Sequence, residues 1–295
     1  MEQKNNFPIQ QCIKDDSLFP AALRFIPHAP HTLYYRGSLS SAPRIAIVGT
    51  RKASPEGKKL AHHVAYELAS QQWIIVSGLA FGIDAAAHQG ACDANGATWA
   101  VLAHGLDSVQ PKQHIPLAQK ILDLGGCLIS EYPSGTPPYP HQFLARNRII
   151  SGLSAAVIVI EAPRASGSLA TAHAAAQQGI PVFVFPGPAS SPLFTGSHEL
   201  LRHGARLVRS VHDICEDITT HPTLSFVSQS IHKTQDSLQS HDVFLCIKEN
   251  STPISLETIL EKTGLSYPYV QKNISKLILE QKIIEVGPQL YNLSP

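Results

Sequence analysis

RIAIVGTRKASPEGKKLAHHVAYELASQQWIIVSGLAFGID, residues 44–84, holds two short apolar runs on either side of a helix-like stretch. IAIV (45–48) and WIIV (73–76) are rich in Ile and Val and do not alternate with polar residues, the pattern of strands buried on both faces. KKLAHHVAYELAS between them suits a crossover helix, so the two strands are expected to run parallel. The pattern repeats in WAVL (99–102), CLI (127–129), AVIVI (156–160) and VFVF (182–185), with DAAAHQGACDA and SLATAHAAAQQ as further crossovers. Strand and helix in this alternation predict an α/β fold, a doubly wound and mostly parallel sheet. Ligands on such sheets sit at the carboxyl ends of the strands, where strand order reverses.

The chain has 295 residues, enough for one large domain and a small one. Its formal net charge is +1, which excludes a generally basic coat and confines any polyanion site to a local patch. MEQKNNFPIQ lacks the apolar core of a signal peptide, and no run is long enough to span a membrane. Five cysteines without a CxxC pair argue against a disulfide framework and point to a reducing cytoplasm. The 15 histidines show no HExxH or Cys/His spacing, so neither a metal nor another cofactor is expected.

Four regions follow. Residues 1–43, with several prolines, read as a short irregular lead-in, and 44–218 as the sheet domain. In TTHPTLSFVSQSIHKTQDSLQS (219–240) twelve of 22 positions are Ser, Thr or Gln and no apolar period holds, as in a flexible linker. Residues 241–295 read as helix, turn, helix and hairpin, a small winged-helix domain. There Val270, Ile274, Leu277 and Ile278 share a helical face, Gly264 ends one helix, Ser266 can cap the next, and KIIEVGPQLYNL forms the hairpin.

Three sheet-end loops offer donors. GTRKASPEGKK (49–59) is spaced wrongly for a Walker loop, yet it sets backbone N–H groups, Thr50, Arg51 and Lys52 at a strand-to-helix turn. In SGLAFGID (77–84), Gly78 and Gly82 permit close backbone approach, and Asp84 reads as a helix cap. EAPRASGSLATA (161–172) places Ser166, Gly167 and Ser168 before an alanine-rich helix, beside Arg164. HQFLARNRII (141–150) adds Phe143, Arg146 and Arg148. Glu131 and Glu161 cannot neutralise all these cations. One of Arg146 and Arg148 can pair with a carboxylate, and the rest form a basic floor. Positions 143 and 146 share a helical face, so an aromatic plate would lie beside arginines, the arrangement that holds single-stranded nucleic acid. Solvated charges at 51 and 52, and a core ring at 143, are the plainer readings.

The segments AIVGTRKASPEG, SGLAFGIDAAAHQGA, AVLAHGLD, SEYPSGTPP, FLARNRIISGLS, EAPRASGSLATAHAAAQQG, VFPGP and GSHELLRHGA together resemble the DprA/Smf DNA-processing family over roughly residues 16–218. The resemblance implies an extended Rossmann-like domain that binds single-stranded DNA, protects it, and loads RecA recombinase onto it during natural transformation. It also implies a homodimer formed through that domain. Carried onto this sequence, it places DNA contacts at Thr50, Arg51, Lys52, Ser77, Gly78, Leu79, Ala80, Phe143, Arg146, Asn147, Arg148, Ser166, Gly167 and Ser168. The chain departs from the family at Phe81, where a basic residue is usual, and at His198, where asparagine is usual. Too few residues precede FPAALRFIPHAPHTLYYRG for the family's helical N-terminal domain.

Two other classes compete. The phosphoribohydrolases of the lysine-decarboxylase-like group, which cleave nucleotides, share the fold, but their PGGxGTxxE signature is absent; VFPGPASS is the nearest text. No activated nucleophile is marked either, so the chain is expected not to be an enzyme. A duplex-reading transcription factor is weaker still, since the second helix of the small domain offers Lys272, Lys276 and Glu280 but no arginine to read guanine.

Overall fold

The structure, a computed structural model, describes residues 7–220 and, towards the C-terminus, 243–248, 250, 252–263, 270–271, 273–274, 277–278, 282–287 and 290–293. The chain divides into two compact units, Met1–Ser225 and Phe226–Pro295.

The first unit is built on nine strands: β1 (Gln10–Ile13), β2 (Thr32–Gly37), β3 (Arg44–Val48), β4 (Ile74–Ser77), β5 (Thr98–Leu102), β6 (Cys127–Ser130), β7 (Val157–Val159), β8 (Val182–Val184) and β9 (Arg206–Leu207). Their spatial order is β1-β2-β6-β5-β4-β3-β7-β8-β9, parallel from β6 to β9 and antiparallel at β1 and β2. Each of the six apolar runs becomes a strand. The irregular lead-in expected at 1–43 needs correction, because it supplies β1 and β2. Their alternating burial, with Cys12, Leu33 and Tyr35 inward, is the period-two signal of a strand covered on one face.

Among the described residues of this unit the α-helices are α1 (Pro55–Ser70), α2 (Ile83–Asp93), α3 (Ile115–Asp123), α4 (Pro140–Gly152), α5 (Gly167–Gln177), α6 (Thr195–Arg202) and α7 (Val211–Thr220). Helix α1 starts where Ser54 Oγ accepts from Gly57 N (2.9 Å) and Pro55 presets the first turn. It buries Ala61, Val64, Ala65 and Leu68 at helical spacing and packs against α2 so closely that a side chain at Gly90 would meet the His62 carbonyl. Central strand residues alternate between two cores: Trp99 and Val101 pack with α4 and α5, whereas Ala100 and Leu102 pack under α2 and α3. The parallel strands therefore carry helices on both faces, which explains their continuous burial.

The second unit has a helical stretch at 243–248, β10 (Ile254–Ser255), α8 (Leu256–Thr263), helical positions within 270–278, and a hairpin of β11 (Ile283–Gly287) and β12 (Leu290–Leu293). Strand β12 lies between β10 and β11 in a three-stranded antiparallel sheet. Val270, Ile274 and Leu277 join its core with Ile247, Ile259 and Ile283; Ile278, expected on the same face, is exposed instead. Gly264, Ser266, Lys272, Lys276, Glu280 and nearly all of the expected linker lie outside the described residues.

Candidate nucleic-acid interface

The strand order reverses between β3 and β7, and a cleft of about 520 Å³ opens there at the carboxyl ends of the strands. Its walls come from the loops after β3, β4 and β7 and from the first two turns of α4. Thr50, Arg51, Ala80, Phe143, Arg146, Asn147, Ser166, Gly167 and Ser168 all line it.

The loop after β3 is held from below. Thr50 N donates to the Glu161 carbonyl (2.8 Å), and the Glu161 carboxylate accepts from Ser54 N (2.9 Å) and Ser54 Oγ (2.5 Å). Glu161 thus fills the first turn of α1, where Gly57 leaves room for it, and neutralises no cation of the cleft. Arg51 and Lys52 are exposed and have no carboxylate within ion-pair distance among the described residues. The Arg51 guanidinium lies over the Phe143 ring, 5.2 Å from its centroid, a cation–π contact worth about 0.5–1 kcal/mol at an exposed site. Phe143 itself is half-buried on α4, whose start is fixed by Tyr139 N donating to Gln142 Oε1 (2.8 Å).

The Ser166–Ser168 turn opens α5. Ser166 Oγ accepts from Ser168 N (3.3 Å), and the two hydroxyls lie 2.7 Å apart. Gly167 is exposed, with nothing within 4 Å of where a Cβ would stand, so an anion can approach the backbone there. Asn147 ties this turn to α4 by donating from Nδ2 to the Gly167 carbonyl (3.1 Å), and its Oδ1 accepts from Arg146 Nε (3.2 Å).

Several residues expected at the interface lie deeper or elsewhere. Arg146 is 4% exposed, at the bottom of the cleft; it donates to the Gly78 carbonyl (2.9 Å) and to the Val101 carbonyl, with Asp84 near enough to act on its charge. Burial lowers its pKa to about 10 while Asp84 pulls it back up. Asp84 is not the cap of α2; Gly82 holds that position. The Asp84 carboxylate instead accepts from Gly78 N (3.1 Å) and Ala80 N (3.4 Å). Burial pushes the Asp84 carboxyl up, against Arg146 and those N–H groups. The pair clamps the loop after β4, which allows Leu79 its positive φ of 55°. Ser77, donating to the Ile47 carbonyl (2.7 Å), and Leu79 are fully buried; Gly78 packs against Arg146 and Asp84. Only Ala80 of this loop reaches the cleft. Arg148 is elsewhere: it pairs with Glu131 at 2.6 Å and lines a separate shallow cleft beside His28 and His31. Arg146 is therefore buried on backbone carbonyls near Asp84 and Arg148 is paired with Glu131, so of the expected basic floor Arg51 and Lys52 are the cations without a carboxylate partner among the described residues.

Two residues singled out in the sequence take other places. Arg164 is exposed and 3.6 Å from Glu199, and His198 Nε2 meets the Gly187 carbonyl at 3.1 Å. Among the described residues there is no group of three or more metal-ligating side chains, and no helix is long and apolar enough to cross a membrane.

A family model described as DNA recombination-mediator protein A matches residues 10–219. Protein Smf of Escherichia coli is 36% identical over 289 residues, which is 95% of this chain and 75% of that protein. Among solved structures, DNA processing protein A from Streptococcus pneumoniae is similar with a TM-score of 0.66 and 39% identity, over 72% of this chain and 74% of that one. A Helicobacter pylori DNA processing protein A, solved for its single-stranded DNA binding mode, gives 0.65 and 30%, over 73% of this chain and 98% of that one.

Proposed function

This chain belongs to the DNA recombination-mediator protein A family, and on that premise we propose that it binds single-stranded DNA in the cleft between β3 and β7. One observation carries the reading. Arg51, without a carboxylate partner among the described residues, stands over an accessible aromatic ring at the strand-order reversal, with the exposed Gly167 backbone in the same cleft. Phosphates meet Arg51, Lys52 and the first turn of α5, while a base stacks on Phe143. Thr50, Ala80 and Ser166 shape the walls.

The strand is held without duplex geometry because stacking needs a splayed base, which a paired helix does not offer. Catalysis is not part of this proposal. The cleft's only carboxylate among the described residues, Asp84, already accepts two backbone N–H groups, and burial pushes the Cys92 thiol up to about 11, the reverse of an activated nucleophile. The family likeness, with its recombination-mediator description, supports transfer of the protected strand to RecA, driven by binding and by the recombinase's own ATP. A homodimer would let one strand bridge two clefts and gain avidity. The second unit, with its helices and hairpin, is proposed to be a winged helix that docks a partner.

Arg51→Ala tests the cleft directly. Affinity for single strands should fall for every sequence, and the slope of log K against log salt should flatten by about 0.7, the share of one phosphate. A variant with the wild-type slope removes Arg51 from the phosphate contacts.

A further inference from the structure

A second cleft of about 540 Å³ lies on the far side of the loop after β4, lined in part by Lys58, Phe81, Gly82, Gln89, Gln113 and His114. Resting on the reading above, we propose that this cleft is a second nucleotide subsite, in which a base stacks on Phe81 and the neighbouring phosphate meets Lys58.

Phe81 is 45% exposed on the wall of this cleft. Its ring is nonetheless held in place. His114 meets it edge-on, with centroids 4.8 Å apart and planes at 69°. The histidine is itself fixed, since His114 Nδ1 donates to the Leu79 carbonyl (2.8 Å), which the left-handed Leu79 turns towards it. A ring fixed in advance loses little freedom when a base covers it. The charge of the cleft is complementary to a polynucleotide. Lys58 has no carboxylate partner among the described residues, and Lys120, at the cleft's far edge, already pairs with Asp93 at 2.8 Å. Gln89 and Gln113 add amides able to meet base edges.

The two clefts are neighbours. Ala80 walls the first and Phe81 the second, and the next residue, Gly82, sits at φ +81° where a side chain would run into the carbonyls of Thr50 and Arg51. Because Ala80 and Phe81 are consecutive residues, a strand leaving Phe143 and Arg51 can continue onto Phe81.

Oligothymidylates of graded length, from about 3 to about 20 nucleotides, bring one or both subsites into play. Phe81→Ala should weaken binding about tenfold for long strands and leave short ones unchanged, with an unaltered melting temperature. Phe81→Trp should restore long-strand affinity, and its indole fluorescence should be quenched on binding; Trp73 and Trp99 are buried and stay silent. Lys58→Ala should flatten the salt slope for long strands only. If Phe81→Ala binds long strands as the wild type does, or if the introduced indole is not quenched, the second subsite is refuted. Failure of the wild type itself to bind any single strand would instead refute the first cleft's role, so the two failures are told apart.

Discussion

Arg146→Ala should destabilise the first unit by about 3–5 kcal/mol, the cost of leaving the buried Asp84 carboxylate without a nearby cation and two buried carbonyls, of Gly78 and Val101, without a donor. Urea unfolding at neutral pH reads the loss as a lower midpoint. The effect should depend on pH. Asp84 is already raised above its usual 3.8 by burial, and removing Arg146 raises it further. A carboxyl raised in the folded state disfavours folding wherever it must ionise, so the penalty is full above the folded pKa and shrinks as pH falls towards 3.8. Arg146→Met with Asp84→Asn should recover part of the stability, because the buried charge goes too. An Arg146→Ala protein that melts like the wild type but has lost strand affinity would return this arginine to the DNA contacts.

Phe143→Ala should cost about 1–3 kcal/mol of single-strand affinity, roughly 5- to 150-fold, with little change in melting. The ring lies on the cleft wall and packs against the Arg51 guanidinium. In the bound state Arg51 turns to phosphate and a base takes its place on the ring, trading a cation–π contact of about 0.5–1 kcal/mol for stronger stacking. Phe143→Tyr should keep most of the affinity and Phe143→Leu should not. Equal losses for tyrosine and leucine, or an early-melting alanine variant that binds normally once folded, would place the ring in the core.

The central sheet was legible because its strands are buried on both faces and stand as uninterrupted runs such as IAIV and AVIVI. Strands β1 and β2 were not, since one covered face leaves only alternation in QQCI and TLYYRG, among prolines that suggest loop. At the site, the residue types brought together after β3 and β7 could be named from their loops. Depth could not. Charge left one of Arg146 and Arg148 to pair with a carboxylate and the resemblance implied both as DNA contacts, yet a signal of burial was present: Gln142, Arg146, Ile149, Ile150 and Leu153 follow one helical face, and the apolar members turn that face to the sheet. Arg146 belongs to that inward stripe. Its acid lies 62 positions earlier in the sequence, a pairing that periodicity cannot reveal. Phe81 was visible as a departure, but its companion His114 was not, because Leu79's unusual turn brings the two rings together.

The central claim is that unpaired DNA lies where β3 and β7 diverge, and photo-crosslinking tests it most directly. Single-stranded oligonucleotides bearing iodouracil would be irradiated on the full-length protein and the attached peptides sequenced by mass spectrometry. Crosslinks should fall on Phe143 and the 49–52 loop, and should vanish when unlabelled single strand, but not duplex, is added in excess. Crosslinks confined to residues 243–293, or displaced equally by duplex, would contradict the account.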